Sequence, residues 1–181
     1  MKITIAEQRV SKFLNNIVTQ FHYEFKKRDD VYFLDNNGVN CIIQYEKKKK
    51  LLSRVCHFVI RIEKTTTMEN LKKKEASYDF HKSLWYGKNN DEFNKICNQL
   101  FQNEYWGLLD FEKISIQWIQ NKFIFEMKLL PGSFTSLVFP PLSQGIPIYE
   151  SEILILENII KEISKQLTSI ENTMERGHDY V

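Results

Sequence analysis

Four histidines and three cysteines are the side chains of this sequence best suited to chemistry, and their spacing decides what they could do. His22, His57, His81 and His178 are scattered, with no two at the three- or four-residue spacing that lets one helix face hold a metal. Cys56-His57 places a nucleophile beside a base. Adjacent residues of a strand point to opposite faces, however, so the thiolate and imidazole of such a pair would not meet. Cys41 and Cys56 are more suggestive. If the hairpin that joins them is centred on Lys48-Lys49, paired residues sum to 97 and the two thiols lie opposite each other on one face. We read them as buried apolar thiols in the first instance and as a redox pair in the second. Asp110 and Glu112 share a strand face, and Glu150, Glu152 and Glu157 fit the acidic first turn of a helix. No glycine-rich phosphate loop, nucleophile elbow or His-Glu-x-x-His helix is present. No metal, cofactor or catalytic residue is therefore expected, and binding is favoured over catalysis.

The charges point to binding as well. Residues 1–90 carry 18 Lys and Arg against 10 Asp and Glu, whereas residues 91–181 carry 7 against 13. The excess in the first half lies in Lys47, Lys48, Lys49 and Lys50 and in Lys72, Lys73 and Lys74. Such runs either solubilise exposed segments or form a basic patch for nucleic acid or an acidic partner. No aromatic residue is interleaved with them and arginine is sparse, which argues against base stacking and bidentate base readout. Nucleic acid is thus a secondary expectation.

The 181 residues, with 43% hydrophobic and 13% aromatic content, fit one domain. About 70% of the unfolded surface of such a chain is buried on folding, enough for a full core. The beginning of the chain lacks the apolar stretch of a secretion signal, and no segment approaches about eighteen uncharged apolar residues. The expected setting is cytoplasmic, with no membrane partner.

The elements follow from periodicity. Val10, Phe13, Leu14, Ile17, Val18, Phe21 and Phe25 recur at three and four residues, which predicts a helix with Lys26-Lys27-Arg28 at its C-terminal end. A three-stranded meander follows: 31–35, a type I′ turn at Asn37-Gly38, 39–46, the tetralysine, and 55–63. Residues 64–88 read as a crossing with a short strand or packed loop at 78–86. Asn89 or Asn90 caps a second helix carrying Phe93, Ile96, Cys97, Leu100 and Phe101. A second meander pairs 111–119 with 122–130 around Gln120-Asn121, setting Trp118 opposite Phe123 and Ile116 opposite Phe125. Pro131-Gly132 then turns into a sixth strand, 133–139. From Ser151 a long helix carries Ile153, Leu156, Ile160, Ile163, Leu167, Ile170 and Met174, suited to its own sheet or to a seam between two molecules.

The expected fold is therefore a single α+β domain, helix-βββ-helix-βββ-helix, with an antiparallel sheet packed against the N- and C-terminal helices. Its two βββα-like halves span about 31–106 and 111–176. In element order alone the pattern resembles the type III secretion chaperone class, and the resemblance implies small dimers that hold a segment of a partner. The first meander leaves Val31, Phe33, Ile42, Val55 and Val59 on its outer face. An apolar outer face needs a cover, so the expected function is a non-enzymatic protein-interaction module that binds a partner, or a second copy of itself, through these residues. The alternative is a small-molecule or lipid carrier whose pocket between sheet and C-terminal helix is lined by Trp118, Phe123 and Phe125. The segment 130–148, which holds all four prolines, either docks on the sheet or forms a binding edge.

Overall fold

The computed structural model describes residues 5–36, 38–51, 53–88, 91–137 and 142–178, with side chains except at 5–6, 36, 50, 68–71 and 171–178. In chain order the elements are α1 (Ile5–Val18), β1 (Lys26–Arg28), β2 (Val31–Asn36), β3 (Val39–Lys50), β4 (Ser53–Asp79) and β5 (Leu84–Tyr86). They continue with α2 (Asp91–Leu100), a 3-10 turn (Glu104–Gly107), β6 (Phe111–Leu137), β7 (Leu142–Gly145) and α3 (Glu150–His178). The strands form one antiparallel sheet of seven, ordered β1-β2-β3-β4-β6-β7, with β5 added to β4. This is the expected α+β domain with helices at both ends.

The stripes of α2 and α3 pack as their spacing requires. Ile153, Leu156, Ile160, Ile163, Leu167 and Ile170 are at most 3% exposed, so this part of the α3 stripe is spent inside the chain; the Met174 side chain lies outside the described residues. Phe93, Cys97 and Phe101 anchor α2 and the residues beyond it, and the indoles of Trp85 and Trp106 both donate to the Phe101 carbonyl, at 3.0 and 3.1 Å.

The first helix stops earlier than its apolar stripe. Val18 and Thr19 are β-branched, and the chain tightens through bonds from Gln20 N–H to Ile17 C=O and from Phe21 N–H to Val18 C=O. Glu157 of α3 then accepts from the His22 N–H (2.5 Å) and holds its ring Nδ1 at 3.0 Å, drawing the chain away from the helix axis. Phe25 therefore lies outside α1, and Lys26-Lys27-Arg28 form β1 instead of a helix end.

The hairpin between β2 and β3 has the expected register, with Asn36 opposite Val39 and Gly38 at φ +79°; Asn37 lies outside the described residues. The next hairpin differs by six residues. Lys50 pairs with Ser53, paired residues sum to 103, and the tip is at Leu51. Cys41 then faces Ile62, Ile43 faces Ile60 and Tyr45 faces Phe58, whereas Cys56 faces Lys47. The shift is even, so it keeps every side chain on its face while exchanging weak pairs for large apolar ones. Cys41, Cys56 and Cys97 are free thiols, buried apart.

The second meander is not a hairpin, and residues 64–79 are not a crossing. β4 and β6 each run 27 residues and pair along almost their whole length, from Ser53 opposite Leu137 to Ser77 opposite Ser115. A straight strand of that length would span about 90 Å, far beyond the roughly 40 Å width of a domain this size, so the ribbon must coil. Register shifts between Cys56 and Phe58 and between Thr65 and Lys74 supply the bends, with Gln120 at φ +53° and Gly132 at φ +80°. Trp118 and Phe123 stack at 5.2 Å across the bend at Gln120, where a hairpin was expected. Pro131-Gly132 likewise kinks β6 without turning it. There Ser133 fills the broken ladder, its Oγ accepting from Phe58 N–H (3.1 Å) and donating to Leu129 C=O (2.7 Å). The coil goes far enough for Leu130 N–H to reach the carbonyl of Asp110 at 2.9 Å. The expected caps Asn89 and Asn90, and the strand end at 138–141, lie outside the described residues.

Candidate functional site

The ladder registers place the five expected contact residues on the outer face of the sheet among long polar side chains. Val31 lies opposite Arg28, Val59 between Gln44 and Lys128, and the Phe33–Ile42 pair between Lys26 and Arg61. Val55 lies between Lys48 and Thr135. Val59 is only 1% exposed, and Val31, Phe33, Ile42 and Val55 are half-buried. This corrects the picture of a bare apolar face. Alternation was right, but the neighbours in each row are long enough to lie over the valines.

The same face is laced with charge. Arg61 Nη2 and Nε donate to Glu126 Oε2 at 2.8 and 3.2 Å, Lys122 reaches Glu63 at 3.0 Å, and the nearly buried Lys128 pairs with Glu46. The hydrogen bond from Lys128 holds the Glu46 carboxyl below its ordinary range. His57 Nδ1 lies 2.6 Å from Glu112 Oε2, without the alignment of a hydrogen bond. Burial pushes the His57 ring down in pKa, with Glu112 opposing it. Cys56, on the opposite face, packs with Val10 and Phe134, so this thiol and imidazole do not face each other. Burial raises all three thiols, Cys41 to about 12, the reverse of an activated nucleophile.

The lysine runs are threaded with acids and do not form a bare patch. Lys47 lies 3.7 Å from Asp30, Lys48 3.8 Å from Glu112, and Lys73 2.7 Å from Glu75. Lys49 pairs across the ladder with Arg54, Lys74 covers the Trp118 ring at 5.2 Å, and Lys72 is exposed. The Lys50 side chain is outside the described residues. Trp118, Phe123 and Phe125 sit in the core at no more than 4% exposure, Phe125 against Trp85, Phe101 and Trp106.

Two further features stand out, one within the segment 130–148, expected either to dock on the sheet or to form a binding edge, and one not foreseen. The first concerns the end strands. β1 is Lys26-Lys27-Arg28, fully exposed. On β5, the Asn98 side chain of α2 accepts from Trp85 N–H (2.8 Å) and donates to Trp85 C=O (2.9 Å), standing in for a neighbouring strand. β7, Leu142-Ser-Gln-Gly145, carries no charge, pairs with β6 alone among described strands, and exposes Leu142. Six of the eleven exposed large apolar residues described fall between 130 and 154, among them Leu137, Leu142, Ile146 and Tyr149. The proline-rich composition of this segment was the signal available in the sequence.

The second feature is a cleft between α1 and β1–β3. Hollows of about 530 and 250 Å³ share Ser11, Asp30 and Lys47 as walls. Val10, Leu14 and Tyr45 lie at the inner one, Lys12 and Lys27 at the outer. Of its lining only Lys47 and Val31 were expected as binding residues, and Val10, Leu14 and Lys27 only as parts of a helix, because the lining converges only once β1 folds back beside α1. Among the described residues no cluster suited to a metal ion occurs, and no described helix is long and apolar enough to cross a membrane. Set against family models, curated proteins and solved structures, the chain matches none.

Proposed function

We propose that this chain is a non-enzymatic protein-binding module that takes up an extended segment of a partner protein as an added strand along β7. What carries the reading is the contrast between the three end strands. Charged side chains on β1 and a side-chain amide on β5 are the means by which sheets discourage pairing, whereas β7 carries no charge and pairs with β6 alone among the described strands. An incoming strand gains main-chain hydrogen bonds at such an edge and draws selectivity from the side chains beside it. Leu137 and Leu142, opposed across β6 and β7, and the exposed Ile146 and Tyr149 would supply apolar contact for such a segment.

Ser143 is exposed in the middle of β7, so Ser143→Lys places a guarding charge on the edge without disturbing the core. The experiment compares wild type and this variant in two measurements. Wild type should capture a partner that the variant loses, and in the recovered complex the amides of Leu142–Gly145 should exchange more slowly than in the free chain. Equal capture by both proteins, or protection that misses β7, overturns the assignment. Solution mass decides the remaining case. A stable dimer of about 43 kDa that Ser143→Lys dissociates would give the edge to a second copy, and no capture with a monomeric mass would leave β7 without a partner; both overturn the proposal.

A further inference from the structure

We infer that the cleft between α1 and β1–β3 binds a small amphipathic organic anion, a phosphate monoester or carboxylate carried on an apolar body. Its combined size lies in the range of small-ligand sites, about 300–1,000 Å³. Only its inner part adds apolar side chains. The inner hollow joins Val10 and Leu14, both buried, Val31, and Tyr45, whose hydroxyl is already committed to the Gly132 carbonyl at 2.7 Å, to the polar Ser11, Asp30, Gln44 and Lys47. The outer hollow gathers Lys12 from α1, Lys27 from β1 and Lys47 from β3. Three separate elements thus bring three lysines to one mouth, with Lys27 Nζ over the Tyr32 ring at 5.3 Å.

The carboxylates there have other work. Asp30 accepts from Ser11 Oγ at 2.8 Å and lies 3.7 Å from Lys47, and Glu7 lies 3.6 Å from Arg54. Counting Arg54 with the three lysines against these two acids leaves two positive charges in excess. Elsewhere on the sheet acids and bases interleave closely, as at Arg61, Glu126, Glu63 and Lys122. Like charges held together raise the local potential and favour an anion, while the apolar floor favours a ligand with a hydrocarbon or aromatic body over a bare ion or a polyphosphate chain. Ser11, shared by both hollows, and Asn15, one turn on along α1 at the outer one and accepting from the Tyr32 hydroxyl at 2.9 Å, add polar groups.

The probe is octyl phosphate below its micelle concentration, followed through the backbone amides by two-dimensional NMR, with 1-octanol and inorganic phosphate as controls. Octyl phosphate should saturate shifts at Ser11, Asn15 and Lys47 and bind at least tenfold more tightly than either control. Lys12→Gln combined with Lys47→Gln should weaken it about tenfold, the sum of two modest charge contacts, while leaving the melting temperature close to wild type, since both side chains are well exposed. Equal binding of 1-octanol would make the site merely apolar, and equal binding of inorganic phosphate would make the ion adventitious. Shifts centred outside the cleft, wild-type affinity in the double variant, no saturation at millimolar probe, or tighter binding of a single-stranded oligonucleotide to the same amides would each overturn the assignment.

Discussion

The closure of β5 by Asn98 can be tested by removing one amide. Asn98→Ala deletes the acceptor for Trp85 N–H at 2.8 Å and the donor to Trp85 C=O at 2.9 Å, together with a bond to the Asn94 carbonyl at 2.8 Å. The Asn94 carbonyl sits within α2, so that loss is small. The other two bonds are each worth about 1 kcal/mol net, and the Trp85 backbone groups they satisfy belong to a residue only 1% exposed. Water reaches part of the site, so the total loss should be about 2–3 kcal/mol. For a chain of this length that lowers the melting temperature by roughly 4–12 °C.

Urea denaturation gives the free energy and amide exchange gives the location: the Trp85 N–H should exchange much faster while strand amides on the far side of β4 keep their protection. Asn98→Asp sharpens the test. A carboxylate keeps the acceptor for the N–H but faces the Trp85 carbonyl without a donor, so at neutral pH it should cost about as much as alanine. Protonation restores a donor, so part of the loss should return below about pH 4. Uncapping β5 should also make the protein self-associate, and Ser143→Lys should not relieve it because that edge is a different one. A loss under about 0.5 kcal/mol with Trp85 still protected would refute the idea that this edge is closed by a side chain, and would remove the contrast that singles out β7.

Other perturbations probe the ribbon and its charged face. A Cβ at Gly87 would lie 2.0 Å from the Glu75 carbonyl oxygen, so Gly87→Ala should cost about 2–3 kcal/mol in urea unfolding. Gly107→Ala, which meets nothing within 4 Å, should change stability by less than about 0.5 kcal/mol. In the Glu46–Lys128 pair the lysine is the buried member, so Glu46→Gln, which strands an ammonium, should cost more (about 2 kcal/mol) than Lys128→Met, which removes it. Equal losses would show that burial of the lysine is not what matters. The folded state holds the pKa of His57 below the unfolded 6.5, so the unfolded chain binds the proton first as pH falls. Stability contributed by the neutral ring is thus complete above about pH 6.5 and declines as pH drops below it, and His57→Gln should abolish that slope. Losses tied to Glu46 and Glu75, whose carboxyls are held below 4.5, belong to a separate and more acid window.

The helices and the first hairpin were legible because their information is local. Stripes at three- and four-residue spacing mark α2 and α3, and the Asn-Gly dipeptide fixes the register of β2 against β3. The coiled ribbon was not. The inward positions switch from even (Ile114, Ile116, Trp118) to odd (Phe123, Phe125, Met127) across Gln120-Asn121, a change of phase that a two-residue turn and a bend within one strand both produce. What decides is whether 66–79 supplies a partner strand, and the polar sequence of Thr65-Thr66-Thr67 and Lys72–Lys74 gives no apolar signal for one. Here the strand forms because its few inward residues, Ala76 among them, meet Ile116 across the ladder, and Lys74 meets Trp118. The tetralysine misled for a related reason. Lysines usually mark a loop, but Lys47 and Lys48 are held within β3 by acids from the 29–30 turn and from β6.

The same distinction governs the function. Whether a strand edge is open is a property of what lies beside it, and the group that closes β5 comes from a residue thirteen positions away on a helix. An apolar outward residue is likewise no contact residue until its row neighbours are known: Val59 is covered, while Leu142, in a four-residue strand with nothing charged in it, is 53% exposed. Sequence alternation identifies which side chains leave the core. Only the tertiary arrangement separates those that another molecule could reach from those already covered by a lysine or an arginine of the same sheet, and that separation moves the expected contact from the middle of the sheet to its edge.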